Sequence, residues 1–266
     1  MAELVQHTYD DDRKVVEVYL NRSDKRNALS QELLQQLNDA YRHYGRDMDV
    51  KAIILRAHGP SFCAGMDLTE LGSLVAKWET NQIPWSDGGL LIDVIRTIRQ
   101  HPAITIAAVH GYCGGGGLAL ATAHDIVIAA ETTKFILPET QRGSFGALAA
   151  AAVHYWLPTK VAFDMQLTGR ELTGSEAASY GFVSRAVPEK GLDAAVESVL
   201  DEIAARTQTA LTHAKMGAYT SERMTFDEAL MHDLLIGARQ NRTAQSFQDV
   251  QSFLASRSTR PNLEAR

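Results

Sequence analysis

Residues 104–121 (ITIAAVHGYCGGGGLALA) constrain the fold more than any other part of the chain. They open as a continuous apolar run of buried-strand type, pass through four consecutive glycines, Gly114 to Gly117, and continue in alanine- and leucine-rich sequence that favours helix. A helix N-terminus leaves backbone N–H groups without intrahelical partners, and its aligned dipoles favour negative charge. Glycine removes the side chain that would hold a ligand away from those donors. Strand, glycine hinge and helix in that order predict a site for an anion or an oxyanion. The plainer reading, a tight turn with close helix–strand packing, is weakened by the entropy cost of four glycines in a row.

A chain of 266 residues can bury a real core, so one domain with a helical appendage accounts for it. We expect an α/β core over residues 1–188 and a helical region over 189–266, acting as one functional unit. The net charge of −6 and the lack of a basic run argue against a nucleic-acid partner. No segment approaches the roughly 18 apolar residues of a membrane span, and Met1-Ala2-Glu3-Leu4 does not open a signal peptide. Cys63 and Cys113 are the only cysteines, which does not resemble a disulfide framework. A cytoplasmic protein with no membrane partner is the expectation.

Apolar and β-branched runs predict strands at 14–20, with 3–9 as a weaker neighbour, and at 51–57, 104–109, 125–130, 134–137 and 182–187. Ser30 is a candidate N-cap for an amphipathic helix to about residue 47, carrying Leu33, Leu37, Ala40 and Tyr44 on one face. Helices are also predicted at 68–77, 90–100, 147–156 and 161–167. Thr173-x-x-Glu176 and Thr225-x-x-Glu228 match the capping box and mark two more helix starts. Residues from 192 to about 256 read as helical. The irregular segment 80–89 is a candidate lid over a substrate. Alternation of strand and helix to about residue 188 predicts a mostly parallel sheet.

Gly114-x-Gly116-x-x-Ala119 formally satisfies a dinucleotide fingerprint, with Glu131 placed for a ribose. That fingerprint normally opens a leading β-α-β unit, whereas here two strands and several helices precede it. A phosphate-binding loop of the Gly-Lys-Ser/Thr type is absent, and no His, Cys, Asp and Glu group has metal-ligand spacing.

Five stretches point elsewhere. They are Asn21-Arg22 with Asn27-Ala28-Leu29; Ser61-Phe62-Cys63-Ala64-Gly65-Met66-Asp67-Leu68; residues 106–112 with Gly115-Gly116-Gly117 and Asp125-Ile126; Phe135 with Pro138-Glu139; and Leu167-Thr168-Gly169-Arg170. In this order, from about residue 3 to about 256, they resemble the enoyl-CoA hydratase/isomerase family, the crotonase superfamily. The resemblance implies a repeated ββα spiral core with a helical C-terminal region, an acyl-CoA thioester substrate, and assembly as a homotrimer or hexamer. Coenzyme A is then part of the substrate, and no separate cofactor and no metal are implied. The thioester carbonyl oxygen would lie between the backbone N–H groups of Met66 and Gly116. Lys25, Arg26, Ala28, Ala64, Asp67 and Leu68 match the loops that line the pantetheine and adenine ends, and Tyr112 and Gly115 belong to the same substrate-facing set.

Many hydratases of that family use two glutamates. Glu139 matches the one in the Pro-Glu pair, but the other position holds Ala119. An acid–base group typically contributes about 10²–10⁴ in rate, so hydration by the two-glutamate route is expected to be impaired. One carboxyl group still suffices to take a proton from one carbon and return it to another, as in the single-glutamate isomerases. The hydroxycinnamoyl-CoA hydratase-lyases also lack the first glutamate and share a Gly-Met-Asp-Leu stretch like residues 65–68. A crotonase homologue that binds acyl-CoA without chemistry is the remaining alternative. Tyr112, His110, Gln141 and Trp85 are candidate helpers, and residues 143–146 depart from the usual glycine-proline turn of the family.

Overall fold

The computed structural model describes residues 3–70, 72, 89–240, 242, 247–248, 250–252 and 254. Strand β1 (Val5–Asp10) pairs antiparallel with β2 (Val15–Leu20), and β2 continues into a parallel series through β3 (Ala52–Ala57), β4 (Ile104–Val109), β6 (Ile126–Ala130) and β9 (Arg185–Val187). A smaller sheet joins β5 (Tyr112–Gly114), β7 (Lys134–Ile136) and β8 (Leu172–Thr173).

The two sheets make the repeat visible. After β4 the chain turns at Gly111 and lays β5 in the small sheet before entering a helix. After β6 it does the same with β7. The turn that starts with β3 contributes only an isolated bridge, Cys63 to Cys113, before residues 68–70 become helical. The turns that start with β4 and β6 thus send one strand to each sheet, and the turn that starts with β3 reaches the small sheet at that bridge, which is the crotonase spiral expected from the sequence resemblance. The glycine hinge departs from the sequence reading in one respect. Its first member, Gly114, closes β5, so a second strand stands between the long apolar strand and the helix.

The core follows from the two-residue period of the strands. Ile53, Leu55, Ala107, Val109, Val127 and Ala129 face one way. There they meet α1 (Gln31–Tyr44) and α2 (Gly89–Arg99) through residues such as Leu37, Tyr41, Val94 and Ile98. Ala52, Ile54, Ile106, Ala108 and Ile128 face the other way and are covered by α7 (Leu192–Ala204) through Val196, Val199 and Leu200. Part of the C-terminal helical region therefore closes the core itself. Ser30 caps α1 as expected, accepting from Leu33 N–H at 3.2 Å.

Between these lie α3 (Gly116–Thr122), α4 (Ala147–Trp156), α5 (Thr159–Thr168) and α6 (Gly174–Ser179), the last begun by the Thr173–Glu176 capping box. Helices α8 (Gln208–Ser221) and α9 (Phe226–Gln240) follow, with further helical residues between 247 and 254, and Thr225 and Glu228 exchange the bonds of a second capping box. The candidate lid lies outside the described residues apart from Gly89, as does most of the helix expected at 68–77.

Candidate active site

Three loops meet at the glycine run. The first follows β2, where a 3₁₀ turn at Ser23–Lys25 ends in two left-handed residues, Arg26 at φ 49° and Asn27 at φ 54°. Asparagine tolerates that region better than most residues, and Asn27 is fully buried. Its amide donates to the carbonyls of His58 and Ser61 at 2.9 Å each, and its Oδ1 accepts from Arg22 N–H. The second loop carries Met66. It is stitched to the first by Leu29 N–H to Gly65 O at 2.8 Å and by Asp67 N–H to Leu29 O at 3.0 Å. Arg22 clamps the pair from the side, donating to Ala28 O and pairing with Asp67 at 2.7 Å. That guanidinium bond holds the Asp67 carboxyl below the usual carboxylate range.

The second loop also meets the glycine run. Cys63 N–H donates to Tyr112 O, and Gly114 N–H returns to Cys63 O at 3.0 Å. Gly65, at φ 98°, lets the chains approach: a Cβ there would stand 2.9 Å from Gly114 O and 3.3 Å from Gly116 N. The side chain of Met66 reaches within 3.5 Å of a Cβ built on Gly116. Gly115, at φ 52° and ψ −123°, turns the chain into α3. Among the described residues, neither Met66 N–H nor Gly116 N–H, the latter in the first turn of α3, has a hydrogen-bond partner, while Asp67 N–H and Gly115 N–H beside them donate to Leu29 O and Ile136 O. Two backbone donors from distant parts of the chain are left open in adjoining loops.

The third loop brings Glu139. β7 runs parallel to β5, pairing Gly114 with Ile136, and Gly115 N–H donates to Ile136 O. This register sets the Pro138-Glu139 pair beside the glycine hinge. The Glu139 carbonyl then accepts from Arg142 and Ser144 as the chain turns. Its side chain lies between two glycines, since a Cβ on Gly115 would be 2.5 Å from Oε1 and a Cβ on Gly146 would be 2.5 Å from Cγ. Oε2 is buried without a partner. Burial raises the proton affinity of this carboxyl above the ordinary glutamate value, opposed by its own N–H and by Arg142.

The other expected residues fall around this centre. Lys25, Ala28 and Asp67 line a depression of about 370 Å³ together with Arg22, Thr69 and Glu70. Arg26 is exposed and its carbonyl accepts from Ala64 N–H, while Leu68 is exposed at the start of a helical turn. Tyr112 folds its ring over Gly114. His110 donates to Gly59 O at 2.8 Å and Gln141 to Thr168 O at 3.1 Å, so both tie loops together. Trp85 lies outside the described residues. Ala119 is buried in α3 and offers no titratable group. Among the described residues no His, Cys, Asp and Glu group could hold a metal ion. Two residues that the sequence did not single out as part of the site, Arg22 and Gly146, are drawn in by tertiary contacts alone.

A family model described as enoyl-CoA hydratase/isomerase matches residues 10–259. The rat enoyl-CoA hydratase domain-containing protein 3, mitochondrial, is 30% identical over 203 residues, 76% of this chain. The match spans 66% of that relative, just under two thirds of its length. Human Delta(3,5)-Delta(2,4)-dienoyl-CoA isomerase, mitochondrial, is 28% identical over 249 residues, covering 86% of this chain and 75% of the relative. A crystal structure of enoyl-CoA hydratase from Mycobacterium smegmatis superposes with a TM-score of 0.86 at 28% identity, covering 98% of this chain and 99% of that one. A spiral of two sheets, a glycine hinge with open amides and a Pro-Glu pair are thus accompanied by similarity along nearly the whole sequence, and the chain belongs to the enoyl-CoA hydratase/isomerase family.

Proposed function

We propose that this protein is an acyl-CoA thioester enzyme in which Met66 and Gly116 N–H receive the thioester oxygen and Glu139 moves a proton between carbons of the acyl chain. One observation carries the reading: a carboxyl with raised proton affinity and an unpaired oxygen stands against Gly115, in the same hinge as Gly116 N–H, one of two amides that the fold leaves open. A thioester enolate develops charge on its carbonyl oxygen, and a donor fixed before reaction is typically worth ~10²–10³ in rate. Glu139 as carboxylate takes a proton from C2 of a 3-enoyl thioester, and the electrons move onto the held oxygen. The protonated acid then delivers that proton to C4 and leaves the 2-enoyl isomer. Atoms and charge balance with one acid–base group. Ala119 supports isomerisation over hydration because nothing at that position can activate water.

The depression beside Arg22 and Lys25 is assigned to the coenzyme A end of the substrate, whose phosphates suit the exposed cations Lys25 and Arg26. The reaction as written draws on no other cofactor, and the two free thiols suit a reducing cytoplasm. A buried alanine in place of an acid also favours a second reading, acyl-CoA binding without turnover. A panel of 2-enoyl-, 3-enoyl- and hydroxycinnamoyl-CoA esters separates the two. Turnover that depends on Glu139 supports the enzyme. Coenzyme A binding by calorimetry with no ester consumed faster by wild type than by Glu139→Ala overturns it.

A further inference from the structure

We propose that Gly146 is a positioning residue for Glu139, its missing side chain forming one wall of the slot that holds the acid against the glycine hinge. The proposal rests on Glu139 being the acid–base group. A Cβ at Gly146 would meet Glu139 Cγ at 2.5 Å, Cδ at 2.7 Å and Cβ at 2.9 Å. Across the slot, a Cβ at Gly115 would meet Oε1 at 2.5 Å. With Glu139 in this place, neither position has room for a side chain, and the acid is flanked on both sides.

Backbone conformation alone does not require glycine at 146. Its φ of 60° is close to those of Lys14, Arg26 and Asn27, which this chain holds with full side chains. What distinguishes it is the neighbour. Gly143, four residues from Glu139 in the same loop and at φ 71°, has nothing within 4 Å of its Cβ position. The two glycines thus share a left-handed backbone and differ in whether the acid stands in the way. A side chain at 146 would push Glu139 out of the slot and towards solvent, and misplacement by about an ångström is enough to cost roughly 100-fold in rate.

The pair supplies its own control. Gly146→Ala is expected to lower kcat on the turned-over thioester roughly 10- to 100-fold with little change in KM. The acid limb of its pH–rate profile should move to lower pH as the carboxyl regains water. Gly143→Ala should keep kcat and the limb of wild type. Thermal unfolding of the four proteins made by combining Gly146→Ala with Glu139→Ala tests the slot without reference to activity. The Tm loss from Gly146→Ala should shrink once Glu139 is truncated, because Cγ and Cδ are gone. Equal losses in both backgrounds, or Gly146→Ala turning over like Gly143→Ala with an unmoved limb, would overturn the proposal. If wild type shows no Glu139-dependent turnover, the functional reading fails, and the unfolding cycle still decides the slot.

Discussion

Glu139 shows at the scale of one residue how activity and stability oppose each other. Its proton affinity is higher in the folded than in the unfolded state, so the folded chain binds more protons over the intervening pH range. Folding stability then falls as pH rises through the folded-state value, because ionisation puts a charge in a half-buried slot with one oxygen unpaired. Glu139→Gln keeps the shape and removes the charge. Calorimetric melting at pH 7 should show it stabilised by roughly 1 kcal/mol, while turnover drops about 10²–10⁴-fold. The acid limb of the wild-type pH–rate profile should lie above the ordinary carboxylate range, since the base must be ionised to act. Asp67 is the opposite case, since its partner Arg22 keeps it ionised. Arg22→Ala should cost about 2 kcal/mol by removing the charged donor to Asp67 Oδ2 and one of the two donors to the Ala28 carbonyl, read as a lower denaturant midpoint.

At the scale of elements, two buried polar junctions hold helices to the sheet. The first lies where α1, α2 and α3 meet. His124 Nδ1 donates to Leu120 O, so its Nε2 accepts from the Tyr41 hydroxyl at 2.8 Å. His101 Nε2 donates to Tyr41 O, and its Nδ1 accepts from Ala103 N–H. Both rings are satisfied only when neutral, and burial lowers each to about 4, with Lys215 also acting against protonation of both. An unfolded histidine titrates near 6.5, so between pH 6.5 and 4 the unfolded chain binds more protons. Stability should be full above pH 6.5 and decline as pH falls through that window, by roughly 3 kcal/mol per ring. Urea titrations at stepped pH check this.

The second junction docks α8. Lys215 Nζ pairs with Asp125 at 2.7 Å and donates to Ala103 O, while the Tyr219 hydroxyl donates to the same carboxylate. Asp125 also accepts from Thr105 at the start of β4, so one partly buried acid joins helix to sheet. Lys215→Met leaves that acid without its cation. It should cost about 3 kcal/mol and speed hydrogen exchange first in residues 208–221.

At the scale of the molecule, α9 has no buried residue. Phe226, Leu230 and Leu234 recur every four positions, with Met231 and Leu235 beside them, and all are more than half exposed. An apolar stripe of that size on a helix marks a surface for another surface to cover. Self-association as a homotrimer or hexamer is the expected state at micromolar concentration, and Leu234→Glu with Leu235→Glu should shift sedimentation towards monomer. A wild-type monomer under the same conditions would refute the assembly. Among the described residues no helix is long and apolar enough to cross a membrane.

Periodicity, caps and breakers are local, and the sequence alone therefore determined the long strands, the capped helices and the glycine hinge. Glu139 was singled out by the resemblance to the enoyl-CoA hydratase/isomerase family, which five motifs carry in order along the chain. β5 and β8, of three and two residues, escaped notice because so few positions display no period. Only the tertiary structure could set Arg22 against Asp67, Cys63 beside Cys113 and Lys215 on Asp125, pairs separated by 45 or more residues. The same holds for the slot around Glu139. Whether a glycine serves the backbone or a neighbour depends on what stands within 4 Å of its absent Cβ, and only packing decides that.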